Sequence, residues 1–150
     1  MLTAILDFRP DQKIERKEYI TLFDLKRLGE VIALDAISVL KIDVEGAELE
    51  VLSSFKDLIK EQQPIILIEI LPAYEADNTF RVERQDNIQR ILAEADYLIY
   101  RVIKENDILL DLDLIPEIGI HGDINLSEYV MVPNSKQAEF EKRLHQQLGG

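Results

Sequence analysis

The chain has 150 residues, 47% of them hydrophobic, enough to bury about two thirds of its unfolded surface in a single domain spanning 1–150. Its 17 Lys and Arg against 29 Asp and Glu leave a net charge of −12, and no basic run is present to neutralise phosphates, so nucleic acid and membrane surfaces are excluded as expected partners. Without cysteine there is neither disulfide nor thiolate metal site, and no apolar run approaches the roughly 20 residues of a membrane span, so a soluble chain without visible targeting is expected, cytoplasmic by default.

In chain order, Leu2 to Phe8 reads as a short strand and Arg9-Pro10-Asp11-Gln12 as a turn, since Pro fixes φ and Asp bonds its own backbone. Thr21 can cap a helix, with Asp24 at the reciprocal acidic position, Leu22, Leu25 and Leu28 on one face, and Gly29 at its end. Asp35 to Val44 carries Ile37, Val39, Leu40, Ile42 and Val44, apolar on both faces, which predicts a strand covered by helices on each side. Ala47 to about Gln62 places Val51, Leu52, Phe55, Leu58 and Ile59 on one wide stripe, with Glu48, Lys56, Lys60 and Glu61 on the polar side. After Pro64, Ile65 to Leu71 reads as a second buried strand ended by Pro72. Strand, helix and strand in about 35 residues make a βαβ unit, whose parallel strands must end on the same edge.

A polar stretch from Ala73 to Arg84 leads to a helix with Ile88, Ile91, Leu92 and Ala95 on one face, then to a strand from Tyr97 to Ile103. Glu105-Asn106-Asp107 reads as a turn before Ile108-Leu109-Leu110. Asp111 to Asn125, with Pro116, Gly119 and Gly122, reads as loop. Leu126 to Val132 is a closing strand, read as antiparallel, and Ser135 caps a last helix with Phe140, Leu144 and Leu148 on one face. The expected architecture is an α/β sheet of four or five strands, mostly parallel, with helices on both faces.

Ligands of open α/β sheets bind where strand ends converge. Lys41 and Asp43 share one face of the first strand, Asp43 lies near its carboxyl end, and Glu45 follows in the turn. Glu69 occupies the equivalent late position of the next strand, so three carboxylates can gather on one edge. Gly46 permits a tight entry to the helix, whose amino-terminal end favours nearby carboxylates. A solvated helix-start cluster explains the same acids; a lysine inside an apolar strand and two further acids at the ligand edge exceed what capping requires. Glu69 has a second explanation too, a salt bridge to Lys41 on the neighbouring strand. Asp111-Leu112-Asp113 has the form of a metal-binding acid pair, but in so acidic a chain the spacing arises readily by chance. His121 in its loop reads as exposed or substrate-facing, His145 as solvated, and Tyr97 and Tyr100 as packing residues.

The run Leu40-Lys41-Ile42-Asp43-Val44-Glu45-Gly46-Ala47-Glu48, followed by Val51-Leu52 and by Pro64-Ile65-Ile66-Leu67-Ile68-Glu69-Ile70, resembles the signature of the FkbM family of S-adenosylmethionine-dependent methyltransferases. Upstream, Thr21-Leu22 resembles the family's Thr-Leu-Asp segment, with Phe23 where the acid is expected. The resemblance implies a partial Rossmann-like class I methyltransferase sheet with an antiparallel closing strand. It implies transfer of a methyl group from S-adenosylmethionine to a hydroxyl of a small-molecule acceptor such as a sugar, lipid or polyketide. In those terms Asp43, Glu45 and Glu69 are the candidate catalytic residues and Asp43 with Gly46 the candidate cofactor contacts, with no metal required. The family's Gly-rich turn, which cradles the methionine part of the donor, has no counterpart among the six glycines. The chain therefore resembles the carboxyl-terminal portion of the domain, with an open sheet edge for a second copy or a partner chain. The competing expectation is an inactive remnant or interaction module that pairs through that edge.

Overall fold

A computed structural model describes residues 25–106 and 108–148. The expected strand at Leu2 to Phe8, the turn at Arg9 to Gln12, the Thr21 cap with Asp24, and Asp107 of the turn lie outside the described residues. The elements run α1 (Leu25–Gly29), β1 (Val39–Ile42), α2 (Glu48–Ser54), α3 (Lys56–Gln62), β2 (Ile65–Glu69), α4 (Thr79–Glu94), β3 (Tyr97–Glu105), β4 (Ile108–Ile115), β5 (Glu128–Pro133) and α5 (Gln137–Leu148). Single turns of 3-10 helix cover Ile124–Leu126 and Asn134–Lys136.

The strands form one five-stranded mixed sheet in the order β1-β2-β5-β3-β4. β1 and β2 are parallel, with Val39 opposite Ile65 and Ile42 opposite Ile68. The last strand, β5, slots antiparallel between β2 and β3, and β4 returns antiparallel beside β3. The closing strand is antiparallel as expected, but a mostly parallel sheet is not what forms. β1, β2 and β3 do point the same way; inserting β5 between β2 and β3, and adding β4 as a hairpin partner, makes most of the neighbour pairings antiparallel. The carboxyl ends of β1, β2 and β3 still share one edge with the start of β5.

The period-2 pattern of the strands sorts two cores. One face carries Ile42, Ile66, Ile68, Tyr129, Met131 and Ile99, packed under Leu52 of α2, Ile59 of α3 and Ile88, Ile91 and Leu92 of α4. The other carries Tyr100, Val130 and Val132, packed against Phe140 of α5. Helices cover both faces, but α5 packs over the centre of the sheet rather than over β1. Val39 is consequently 56% exposed and Lys41 is exposed, correcting the expectation of a first strand buried on both sides. Leu67 of β2, 40% exposed on the same face, departs from the expected full burial for the same reason.

Two further expectations are revised. The helix over Ala47 to Gln62 is broken at Phe55, whose φ of −94° and ψ of 4° end α2 and open α3. Ser53 and Ser54 precede the break, and serine hydroxyls compete with the helical ladder for backbone groups. Gln63 then stops α3 in the left-handed conformation, its N–H donating to the Ile59 carbonyl at 3.0 Å. The segment expected to be loop from Asp111 is strand as far as Ile115, because it pairs along β3 through Leu112 opposite Val102 and Leu114 opposite Tyr100. No helix among the described residues is long and apolar enough to cross a membrane.

Candidate functional site

Parallel pairing sets the geometry of the carboxyl edge. Because Ile42 lies opposite Ile68, the next residues along each strand direction, Asp43 and Glu69, are neighbours. Glu69 is in turn opposite Glu128 of β5. These residues line a cleft of about 250 Å³ on the α5 side of the sheet. Leu67, Val102 and Val130 also line it, with Lys41, Asp43, Glu69 and Glu128 as its charged groups. The cleft thus combines an apolar strand surface with three carboxylates, a composition that favours a ligand carrying positive charge or hydroxyl donors.

The ion pairs inside it are specific. The Lys41 ammonium reaches Asp43 Oδ2 at 3.2 Å, both side chains largely exposed, so this bond adds little stability. The salt bridge of Glu69 to Lys41 does not form; Glu69 Oε1 instead lies 3.4 Å from the hydroxyl of buried Ser127, whose proton is donated to the Ile124 carbonyl at 2.6 Å. Lys104 pairs with Glu128. Glu45 stands in the turn beyond β1, exposed, and does not line the cleft. Asp43 and Glu69 are therefore brought together and Glu45 is not. Among the described residues no group of three His, Asp or Glu side chains is placed to hold a metal ion.

The turn itself is tightly built. Glu45 has φ 47° and Gly46 φ 115°, both in the left-handed region, which an unbranched turn residue tolerates at a cost and glycine freely. The Gly46 N–H donates to Glu48 Oε1 at 2.5 Å, and its carbonyl accepts from Arg84 Nη2 at 2.7 Å. Both backbone polar groups of Gly46 are thus committed within the chain, so what Gly46 offers a ligand is conformation rather than a free N–H. Glu48, expected on the polar side of its helix, is 3% exposed. Burial raises its carboxyl above the ordinary 4.5, and the Gly46 N–H and the Arg84 charge pull the other way. Arg84 also grips Glu50 through two bonds, at 2.8 Å and 2.5 Å, and stacks 5.5 Å from the centre of the Phe80 ring. That bidentate bond holds the Glu50 carboxyl below its usual range.

A second polar cluster lies on the opposite face, the one packed under α2, α3 and α4. His121 Nε2 is 3.2 Å from the hydroxyl of Tyr129, and the Arg101 guanidinium stands 5.6 Å from the Tyr129 ring while donating to the Ile118 carbonyl at 2.5 Å. His121 is half-buried rather than exposed. Burial, and then the Arg101 charge, push its imidazole below 6.5, favouring the neutral ring. His145 is exposed as expected, and Tyr97 and Tyr100 are buried packing residues. Asp111 and Asp113 project from the exposed edge strand β4.

Sequence reasoning missed Glu48, Arg84 and the Tyr129 cluster. The signals for the first were its place at the end of the family-like run and a glutamate two residues past a glycine at a helix start, where orphan N–H groups need acceptors. The sequence profile of the methyltransferase FkbM domain matches residues 11–99, which include β1, the Gly46 turn, β2, α4 and Arg84. No curated protein and no solved structure matches the chain.

Proposed function

Since the chain belongs to the FkbM methyltransferase family, we propose that it binds S-adenosylmethionine and serves methyl transfer to a hydroxyl oxygen of a small-molecule acceptor, a sugar, lipid or polyketide. The observation that carries this reading is that Asp43 and Glu69 line one cleft just past the paired ends of two parallel strands, inside the family's own region. A parallel pair with a helical crossover and an antiparallel last strand support reading the sheet as a Rossmann-like portion of the domain. The fit of the donor to the residues present is partial but consistent. The donor is a sulfonium cation that also carries an ammonium group, and the cleft offers three carboxylates. A Gly-rich turn is absent among the described residues, so the cradle for the rest of the donor is not supplied by β1 and β2.

When bound, S-adenosylmethionine supplies the electrophilic methyl: the acceptor oxygen bonds to its carbon as the carbon–sulfur bond breaks and a neutral thioether leaves. The chain's own task is to hold the acceptor oxygen in line and to take its proton. Asp43, at the end of β1, would hold the cationic donor by its carboxylate charge. Glu69, one strand further along the edge, would accept the hydroxyl proton, a role supported by its position in the same cleft as Asp43. Leu67, Val102 and Val130 offer the acceptor's apolar face a surface to pack on.

Calorimetric titration of the chain with S-adenosylmethionine tests the reading. Saturable binding is expected for the wild type, weakened about tenfold or more in Asp43→Ala as one charge pairing is lost. A folded chain that shows no binding overturns it.

A further inference from the structure

We infer that Glu48 and Arg84 are positioning residues that set the Asp43–Glu45 corner by gripping the two peptide groups that flank the Gly46 Cα; the inference rests on the reading of that corner as part of the donor site. The N–H side is held by the buried Glu48 carboxylate at 2.5 Å and the C=O side by Arg84 at 2.7 Å. The two bonds hold the two successive peptide planes that meet at the Gly46 Cα, so neither plane can flip without breaking its bond, and flipping is the easiest motion of a turn with two consecutive left-handed residues. The grip therefore fixes the direction in which the chain leaves β1, and with it where Asp43 and Glu45 stand.

Arg84 reaches this point from α4, 38 residues along the chain. Its side chain is 11% exposed, two further bonds lock it to Glu50 of α2, and the Phe80 ring covers it. Its orientation is consequently determined by the α2–α4 packing and not by the ligand. A surface salt bridge between two helices would need only the Glu50 bonds. The extra bond to the Gly46 carbonyl is what ties helix packing to the geometry of the carboxyl edge. Glu48 does the matching work from inside α2, spending a buried charge on one backbone N–H of the turn rather than on solvent. Neither residue touches the cleft, so both act through the turn.

The test compares the full chain with Glu48→Ala, Glu48→Gln, Arg84→Met and Arg84→Lys. The readouts are the amide resonances of Glu45 and Gly46 without ligand, and the affinity for S-adenosylmethionine by calorimetry. Glu48→Ala and Arg84→Met are expected to move both resonances and to lower the affinity about tenfold or more, the scale on which small misplacements act. Glu48→Gln keeps an acceptor for the Gly46 N–H and is expected to keep the wild-type resonances and most of the affinity, and Arg84→Lys to restore part of both. If Arg84→Met leaves the Glu45 and Gly46 resonances in place, or if Glu48→Gln loses as much as Glu48→Ala, the inference fails. Should the alanine or methionine variant not fold, the Gln and Lys variants carry the same decision. A wild-type chain that does not bind S-adenosylmethionine sinks the functional reading alone, because the resonance comparison needs no donor and still decides the grip.

Discussion

Glu48 is a carboxyl group with 3% of its surface exposed, held there by the backbone N–H groups of Glu48 itself and of Gly46 and by a nearby guanidinium. Its pKa is raised chiefly by burial, so the folded chain binds this proton more tightly than the unfolded chain does. The stability it contributes is greatest below the ordinary 4.5 and is lost as pH rises through the folded value. Glu50 has the opposite sign: the Arg84 bond lowers its pKa, so its contribution is present above 4.5 and lost as pH falls. Glu48→Gln removes the first effect and leaves the second. Between about pH 4 and about pH 7 the variant's unfolding free energy should therefore rise more steeply, or fall less steeply, than the wild type's. Denaturant titrations at the two pH values measure this, and an unchanged difference would show that Glu48 is not buried as charge. Asp43 and Glu69 were legible in the sequence because strand alternation and a shared parallel edge follow from residue pattern alone. Glu48 was not, because a helical wheel sees only α2 and its burial comes from the Gly46 turn below and from Arg84 arriving from α4.

At the scale of elements, α5 seals the second face of the sheet with one ring. Phe140 lies 5.2 Å from the ring centre of Tyr100 at an interplanar angle of 56°, and the Tyr100 hydroxyl donates to Glu141 at 2.7 Å. Burial first, and then the Glu141 carboxylate, push the Tyr100 phenol up to about 12. Phe140→Ala should cost about 2 kcal/mol, less than the loss of a fully buried ring because Phe140 is only half-buried. It should also bring one tyrosine's ionisation back toward 10 in an ultraviolet titration. A tyrosine profile identical to the wild type would mean that α5 does not hold Tyr100 dry. The amphipathic spacing that places Phe140 inward is plain in the sequence. The break at Phe55 and the length of β4 are not: the apolar stripe of α2 and α3 continues across the break, and Asp111 and Asp113 look like loop because acids are poor strand formers, although Asp-Leu-Asp-Leu has the strand period. Only the cross-strand partners on β3 settle that question.

For the whole molecule, the sheet ends at two strands, β1 and β4, each with one neighbour among the described residues. β4 is the more exposed edge, with Ile108 at 65%, Leu110 at 50% and Leu114 at 50%. Eight residues of strand with apolar side chains at the rim are a template for pairing with another strand. Asp111 and Asp113 interrupt that run, and a second copy approaching edge to edge would bring the same charges against its own, within a chain of net charge −12. Their value at this position is repulsion. Repulsion between exposed charges is screened by salt, with a Debye length of about 8 Å at physiological ionic strength. Asp111→Asn combined with Asp113→Asn should therefore shift the sedimentation profile toward larger species at a protein concentration where the wild type is unaffected, and high salt should move the wild type in the same direction. Each carboxamide keeps the size of the side chain and both lie on an exposed strand, so the folded state itself should change by less than about 0.5 kcal/mol. If the double variant sediments like the wild type, the two aspartates do not guard the edge, and the apolar rim of β4 must be kept apart by its shape alone.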